Sequence, residues 1–198
     1  MIKYTKYEDV WPEVKGAART TVGRDGNGQS PDSRWKKSIL LAEHSPIRLI
    51  RFRWKWQSLR SWVSTHFVRH KIGIEHWVST QRSDRTGIDR DAARQDAPVS
   101  HMCEADAQAL INISRKRLCT QASPETRAAW HEVREAVDKV DPVLASVMVP
   151  ECIYRGFCPE MHPCGYADTE AYRKALAAYR DRGEHHGNHQ QQEKPVHA

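Results

Sequence analysis

No apolar run in this sequence approaches the roughly eighteen residues that a membrane-crossing helix needs. The opening residues, MIKYTKYEDVWPEVK, lack the apolar centre of a secretory signal. Membrane spanning and classical secretion are thereby disfavoured, and a cytoplasmic chain is expected. No internal repeat is visible. Cysteine is scarce: the five thiols at 103, 119, 152, 158 and 164 include no CxxC pair. Without an export signal they read as reduced thiols or metal ligands rather than a disulfide framework. Positive excess is also missing from most of the chain. Residues 45–94 hold eleven Lys and Arg against four Asp and Glu, whereas the remainder holds twenty against twenty-one. One quarter of the sequence therefore carries the whole excess and is where an anionic partner is expected.

What is present argues for a packed globule. The 198 residues are 39% hydrophobic and include seven tryptophans, enough for one core. The expectation is a single domain over 1–182, with a cysteine-rich irregular loop at 150–166. The closing EHHGNHQQQEKPVHA has no apolar period, and 183–198 is expected to be a disordered His/Gln-rich tail.

Local patterns place the elements. Residues 7–19 read as a helix through Val10 and Val14, and GRDGNGQSPDS as a loop. A second helix is expected over 35–43, stopped by Ser45-Pro46. Ile50, Phe52, Trp54 and Trp56 then alternate with Arg51, Arg53 and Lys55, a strand with one apolar and one cationic face. From Ser58 the period turns helical through Leu59, Trp62, Val63 and Phe67, up to Arg69-His70-Lys71. A short element carries His76, Trp77 and Ser79, and 81–98 reads as an exposed loop. A helix is expected over 104–118, and a second begins at Ser123-Pro124 as N-cap and first turn. Asp141-Pro142 starts a short helix, and Asp168 is expected to cap the last one.

The chemistry concentrates in THFVRHKIGIEHWVSTQRSDR. An Arg-His-Lys triplet closing an amphipathic helix, with Ser79, Gln81 and Arg82 just beyond, suits phosphate and heterocycle binding. Arg69-His70-Lys71, seven residues and Ser79 resemble the RHR-x7-S signature of the flavin-dependent thymidylate synthases. Three further blocks resemble that family in the same order. Ala17-Ala18-Arg19-Thr20-Thr21 is similar to its AAR-x-S, and His44-Ser45-Pro46 to its H-x-T/S-P. Asp106 to Asn112 is similar to N-A-R-x-L-x-N, with Arg117 five residues further on.

The resemblance implies an α+β fold with a mixed, mainly antiparallel sheet flanked by helices, assembled as a homotetramer with sites between subunits. It implies conversion of dUMP to dTMP with methylene-tetrahydrofolate, FAD and NADPH, and no covalent enzyme nucleophile. By position, Thr21, Ser45, Arg69, His70, Lys71, Asp106, Gln108 and Asn112 would touch FAD. His66, Arg69, Ser79, Gln81, Arg82 and Arg117 would hold the nucleotide, and Arg69, Ser79 and Arg117 would act in catalysis. A guanidinium suits that task because it stabilises charge on a carbonyl oxygen without losing its proton.

Departures stand beside the matches: Lys71 for arginine, His66 for glutamine, His76 for asparagine, Trp77 for glutamate and Gln81 for arginine. They keep open a relative acting on another pyrimidine nucleotide. A nucleic-acid module using Arg51, Arg53, Lys55, Trp54 and Trp56 is disfavoured, because the tryptophans and the bases alternate onto opposite faces of the strand. Cys152, Cys158, His162 and Cys164 supply enough N and S donors for zinc, although five-residue spacing departs from the usual knuckle. Cys103 and Cys119 read as buried helix cysteines.

Overall fold

The computed structural model describes residues 1–182; the tail expected over 183–198 lies outside them. A four-stranded sheet runs in the order β1-β2-β4-β3, from β1 (Ile2–Tyr7), β2 (Arg51–Arg60), β3 (Ile74–Val78) and β4 (Pro98–Asp106), and every pairing is antiparallel. Between β1 and β2 lie α1 (Trp11–Thr20), α2 (Ser33–Leu41) and a 3-10 turn at Ser45–Leu49. Helix α3 (Ser61–Phe67) follows β2, and the short α4 (Ser83–Thr86) lies between β3 and β4. After β4 come α5 (Ala107–Arg117), α6 (Pro124–Asp138), α7 (Pro142–Ala145), α8 (Glu151–Arg155) and α9 (Glu170–Arg180). This is the expected α+β architecture, an antiparallel sheet flanked by helices. No helix among the described residues is long and apolar enough to cross a membrane.

The alternation read in β2 is borne out. Ile50, Phe52, Trp54 and Trp56 are fully buried, while Arg51 and Lys55 face solvent. Trp56 stacks on Phe67 of α3 at 4.8 Å between ring centres, and Trp54 meets Trp130 of α6 edge-on at 5.8 Å. Rings of this size remove large apolar areas from water, so the indole layer fixes α3 and α6 on the sheet. On the outer face Arg53 is neutralised by Glu104, its cross-strand neighbour.

Several boundaries differ from expectation. Residue 7 belongs to β1, an edge strand whose side chains are mostly exposed, so no apolar period announced it. The helix expected from 58 to 71 begins only at Ser61 and ends at Phe67, because β2 holds Leu59 and Arg60 on β4. Arg69, His70 and Lys71 therefore lie on the turn beyond α3, and His66 and Arg69 do not share a helix face. The helix expected from 104 begins at Ala107, since residues through Asp106 belong to β4, a strand not expected from the sequence. Its inward row of Val99, His101, Cys103 and Ala105 mixes polar with apolar groups, which disguised the two-residue period. Cys103 is thus a strand cysteine, not a helical one. Cys152 sits on α8 inside the segment expected to be irregular, and Thr169, not Asp168, caps α9 by accepting from the Tyr172 N–H.

Other caps agree with the reading. Ser123 accepts from the Thr126 N–H and Pro124 opens α6. Asp141 gathers distant elements through one carboxylate, accepting from Tyr7 Oη at 2.7 Å, Trp11 Nε1 at 2.8 Å and the Leu144 N–H at 3.0 Å.

Candidate functional site

The C-terminal end of α5 meets the end of α3 and the turn beyond it through Arg117. Arg117, on the last turn of α5, donates from Nε to His70 Nε2 at 2.9 Å and from Nη2 to the His66 carbonyl at 2.8 Å. The bond to His70 requires a lone pair on Nε2, so the His70 proton sits on Nδ1. Burial, reinforced by Arg117 and then His76, lowers the His70 pKa to about 4 and keeps the ring neutral near pH 7. Burial and the neighbouring Arg69 also lower the Arg117 pKa. His66 is lowered too, by burial first and then by Arg117 and Arg69; its Nδ1 meets Thr126 Oγ1 at 2.8 Å. Among the described residues neither Arg69 nor Arg117 has an ion-pair partner. The cluster is therefore a set of N–H donors and positive charge with no carboxylate facing it, an arrangement completed by an anion or a carbonyl-rich ring.

The other residues singled out in the sequence divide around this cluster. Lys71 is exposed beside it. Ser79 continues the β3 edge: its N–H donates to the Ser100 carbonyl at 2.8 Å and its Oγ accepts from the Ser100 N–H at 3.0 Å. Gln81 is exposed, and Arg82 is held by Asp84 through two bonds of 3.0 and 2.7 Å. Thr21 and Ser45 are exposed, with the Thr21 hydroxyl donating to the Ala18 carbonyl. Asp106 has a structural task. It is buried, accepts from the Ala109 N–H at 2.8 Å as the cap of α5, and packs so tightly on Gly73 that a Cβ there would lie 2.6 Å from its Oδ2.

Gln108 and Asn112 lie on the opposite side of α5 from Arg117. Gln108 Nε2 donates to Glu43, and Asn112 Oδ1 accepts from Arg115 Nη1 at 3.0 Å. Arg115 pairs with Glu43 and covers the Tyr154 ring. Sequence reasoning missed Glu43 and Arg115. Glu43 carries a φ of 50°, a left-handed conformation uncommon for a side-chain-bearing residue. One chain thus presents the expected nucleotide residue Arg117 with the expected flavin residue His70 on one side of α5, and the expected flavin residues Gln108 and Asn112 on the other.

The cysteine expectation is corrected. Cys119, Cys152, Cys158 and Cys164 line one cavity of about 400 Å³ with Arg127, His131 and Arg134. Yet no three of Cys152, Cys158, His162 and Cys164 bring ligand atoms within 4.8 Å of one another, so they make no tetrahedral zinc site in this geometry. Among the described residues His76, His101 and Cys103 do converge in that way. Neither β4 nor the side chain of His101 was legible as part of a site before the strand register was known.

The donor set around Arg117 suits a flavin. Two unpaired cations, Arg69 and Lys71, suit its phosphates, and the Nδ1–H of neutral His70 suits a ring carbonyl or nitrogen.

Comparison with known proteins places the fold. No protein-family model matches the chain, and no curated protein sequence does. Two solved structures share the fold. One is the UMP/dUMP methylase PolB from Streptomyces cacaoi bound with 5-Br dUMP, at 14% identity and a TM-score of 0.55, over 79% of this chain and 94% of that one. The other is the flavin-dependent thymidylate synthase ThyX from Helicobacter pylori complexed with FAD and dUMP, at 11% identity and a TM-score of 0.56, over 75% and 98%. The fold of this chain is therefore the thymidylate synthase ThyX type.

Proposed function

We propose that the chain is a flavin-dependent enzyme that methylates a pyrimidine nucleotide at C5, with dUMP, FAD, methylene-tetrahydrofolate and NADPH as its substrate, cofactor, carbon donor and reductant. The observation that carries this reading is the Arg117–His70 hydrogen bond. It joins two sequence blocks that resemble the same family, on a fold shared with two solved structures described with dUMP or its bromo analogue.

Bound flavin supplies hydride chemistry; the chain supplies position and charge. Arg117, held by His70 and the His66 carbonyl, presents its remaining N–H groups to a uracil carbonyl and stabilises the negative charge that develops there when C5 becomes nucleophilic. Arg69 sits close enough to perturb Arg117 and adds charge for the nucleotide phosphate, while Lys71 is assigned to the flavin phosphates as a point charge without bidentate geometry. Ser79 follows the end of β3 and is assigned a hydrogen bond to the nucleotide. Gln81 and Arg82 follow it; Arg82 must leave Asp84 to reach a phosphate. His70 remains neutral and donates from Nδ1 rather than adding a charge. Thr21, Ser45, Gln108 and Asn112 are assigned to flavin contacts across a subunit boundary, which makes a homotetramer part of the proposal.

The test is direct. Purified protein loaded with FAD is expected to show oxidised-flavin absorbance, bind dUMP, and form dTMP when methylene-tetrahydrofolate and NADPH are added, by chromatography of the nucleotides. A colourless protein that takes up neither FAD nor dUMP overturns the reading. A second reading is favoured by the substitutions at His66, Lys71, Trp77 and Gln81: the nucleotide is a pyrimidine other than dUMP. Competition between UMP and dUMP for the loaded protein separates the two, since product from UMP alone selects the second.

A further inference from the structure

Three side chains in the sheet core form a cluster that the proposed reaction does not use. The register sets His76 of β3 opposite Cys103 of β4, and the two-residue period of β4 brings His101 to the same side. His76 Nδ1 lies 3.0 Å from His101 Nε2 and 3.3 Å from Cys103 Sγ, and the three ligand atoms all fall within 4.8 Å of one another. His101 and Cys103 are fully buried, and His76 is partly exposed. The far nitrogens are held as well. His76 Nε2 donates to the His70 carbonyl at 2.8 Å, and His101 Nδ1 faces Ser64 Oγ at 3.0 Å. Histidines that bind metals are oriented in this way, with the non-ligating nitrogen fixed by a carbonyl or another oxygen.

We propose that His76 Nδ1, His101 Nε2 and Cys103 Sγ bind a zinc-class divalent cation. With Zn–N near 2.0–2.1 Å and Zn–S near 2.3 Å, a tetrahedral site has N···N edges of about 3.3 Å and N···S edges of about 3.6 Å. The separations of 3.0 and 3.3 Å fall short by only a few tenths of an ångström. Entry of the cation moves the His101 proton from Nε2 to Nδ1, where Ser64 Oγ accepts it, and expels the Cys103 thiol proton to solvent. Two neutral imidazoles and one thiolate select zinc, cobalt(II) or a similar borderline-soft ion over magnesium or calcium. Three protein ligands leave the fourth position for water. Because the His70 carbonyl holds His76, an ion here braces the turn that carries Arg69 and Lys71 from behind. The site stands on its own geometry and does not depend on the proposed reaction.

Cobalt(II) titration of chelator-stripped full-length protein tests it, read by the thiolate-to-cobalt charge-transfer band, which the histidine-rich tail cannot produce. The expected result is a band saturating at one equivalent, retained in Cys152→Ser and abolished in Cys103→Ser. Ser64→Ala, which leaves all three ligands in place, is expected to weaken cobalt binding 10- to 100-fold. Absence of the band in the wild type, its survival in Cys103→Ser, or its loss in Cys152→Ser overturns the site. If Cys103→Ser fails to fold, Ser64→Ala decides, and unchanged affinity there refutes the proposal.

Discussion

The two sides of α5 carry similar amounts of positive charge and treat it differently. On one side Arg115 is enclosed, paired with Glu43, stacked on Tyr154 and bonded to Asn112. On the other, Arg117 has, among the described residues, a histidine nitrogen and a backbone carbonyl as partners, with Arg69 beside it. A cation matched by a carboxylate of its own chain holds structure together. A cation cluster with no such match has its charge left over for a ligand. That contrast, rather than the count of basic residues, is the ground for placing the proposed binding face on the Arg117 side.

The comparison breaks if the Arg117 side proves structural. Arg117→Ala is expected to lower kcat/KM for nucleotide methylation at least 100-fold, about 2.7 kcal/mol of transition-state stabilisation, while the thermal melt stays close to wild type. Turnover unchanged within threefold, or a collapsed melt, removes Arg117 from the reaction. The opposite behaviour is expected across the helix. Glu43→Gln strands a mostly buried guanidinium and should cost about 2–3 kcal/mol in urea unfolding. The double variant Glu43→Gln/Arg115→Gln should recover part of that loss. No recovery would mean that the two residues are not coupled.

Smaller effects sharpen the contrast. Arg69→Ala is expected to raise the dUMP dissociation constant about tenfold and to flatten its salt dependence, as isothermal titration at two ionic strengths would show. Gln108→Ala removes one hydrogen bond to Glu43 and should destabilise by about 1 kcal/mol or less. A loss of FAD affinity in that variant, measured by fluorescence, is expected as well because Gln108 is assigned to the flavin; unchanged affinity would leave the Glu43 side purely structural.

How legible these features were depended on the distance along the chain over which they are decided. The β2 strand could be read from Ile50 to Trp56 because its apolar and cationic residues alternate, and Ser123-Pro124 announced α6 through capping chemistry confined to four residues. The Arg69-His70-Lys71 triplet and Arg117 were visible as candidates. Their hydrogen bond was not, since 47 residues separate His70 from Arg117. Edge strand β1 stayed hidden because its side chains are mostly exposed, and β4 because histidine interrupts its buried row.

The cysteines make the same point. The evenly spaced Cys152, Cys158 and Cys164 drew attention in the sequence but line a cavity without converging, whereas Cys103 converges with His76 and His101. By itself, then, the sequence determined the apolar face of β2, the cap of α6 and the location of the positive excess, because each depends on residues a few positions apart. The tertiary structure alone decided which cations lack a carboxylate and which histidines meet a thiol. Those outcomes depend on strand register and helix packing, where residues far apart in the chain are brought within hydrogen-bonding distance.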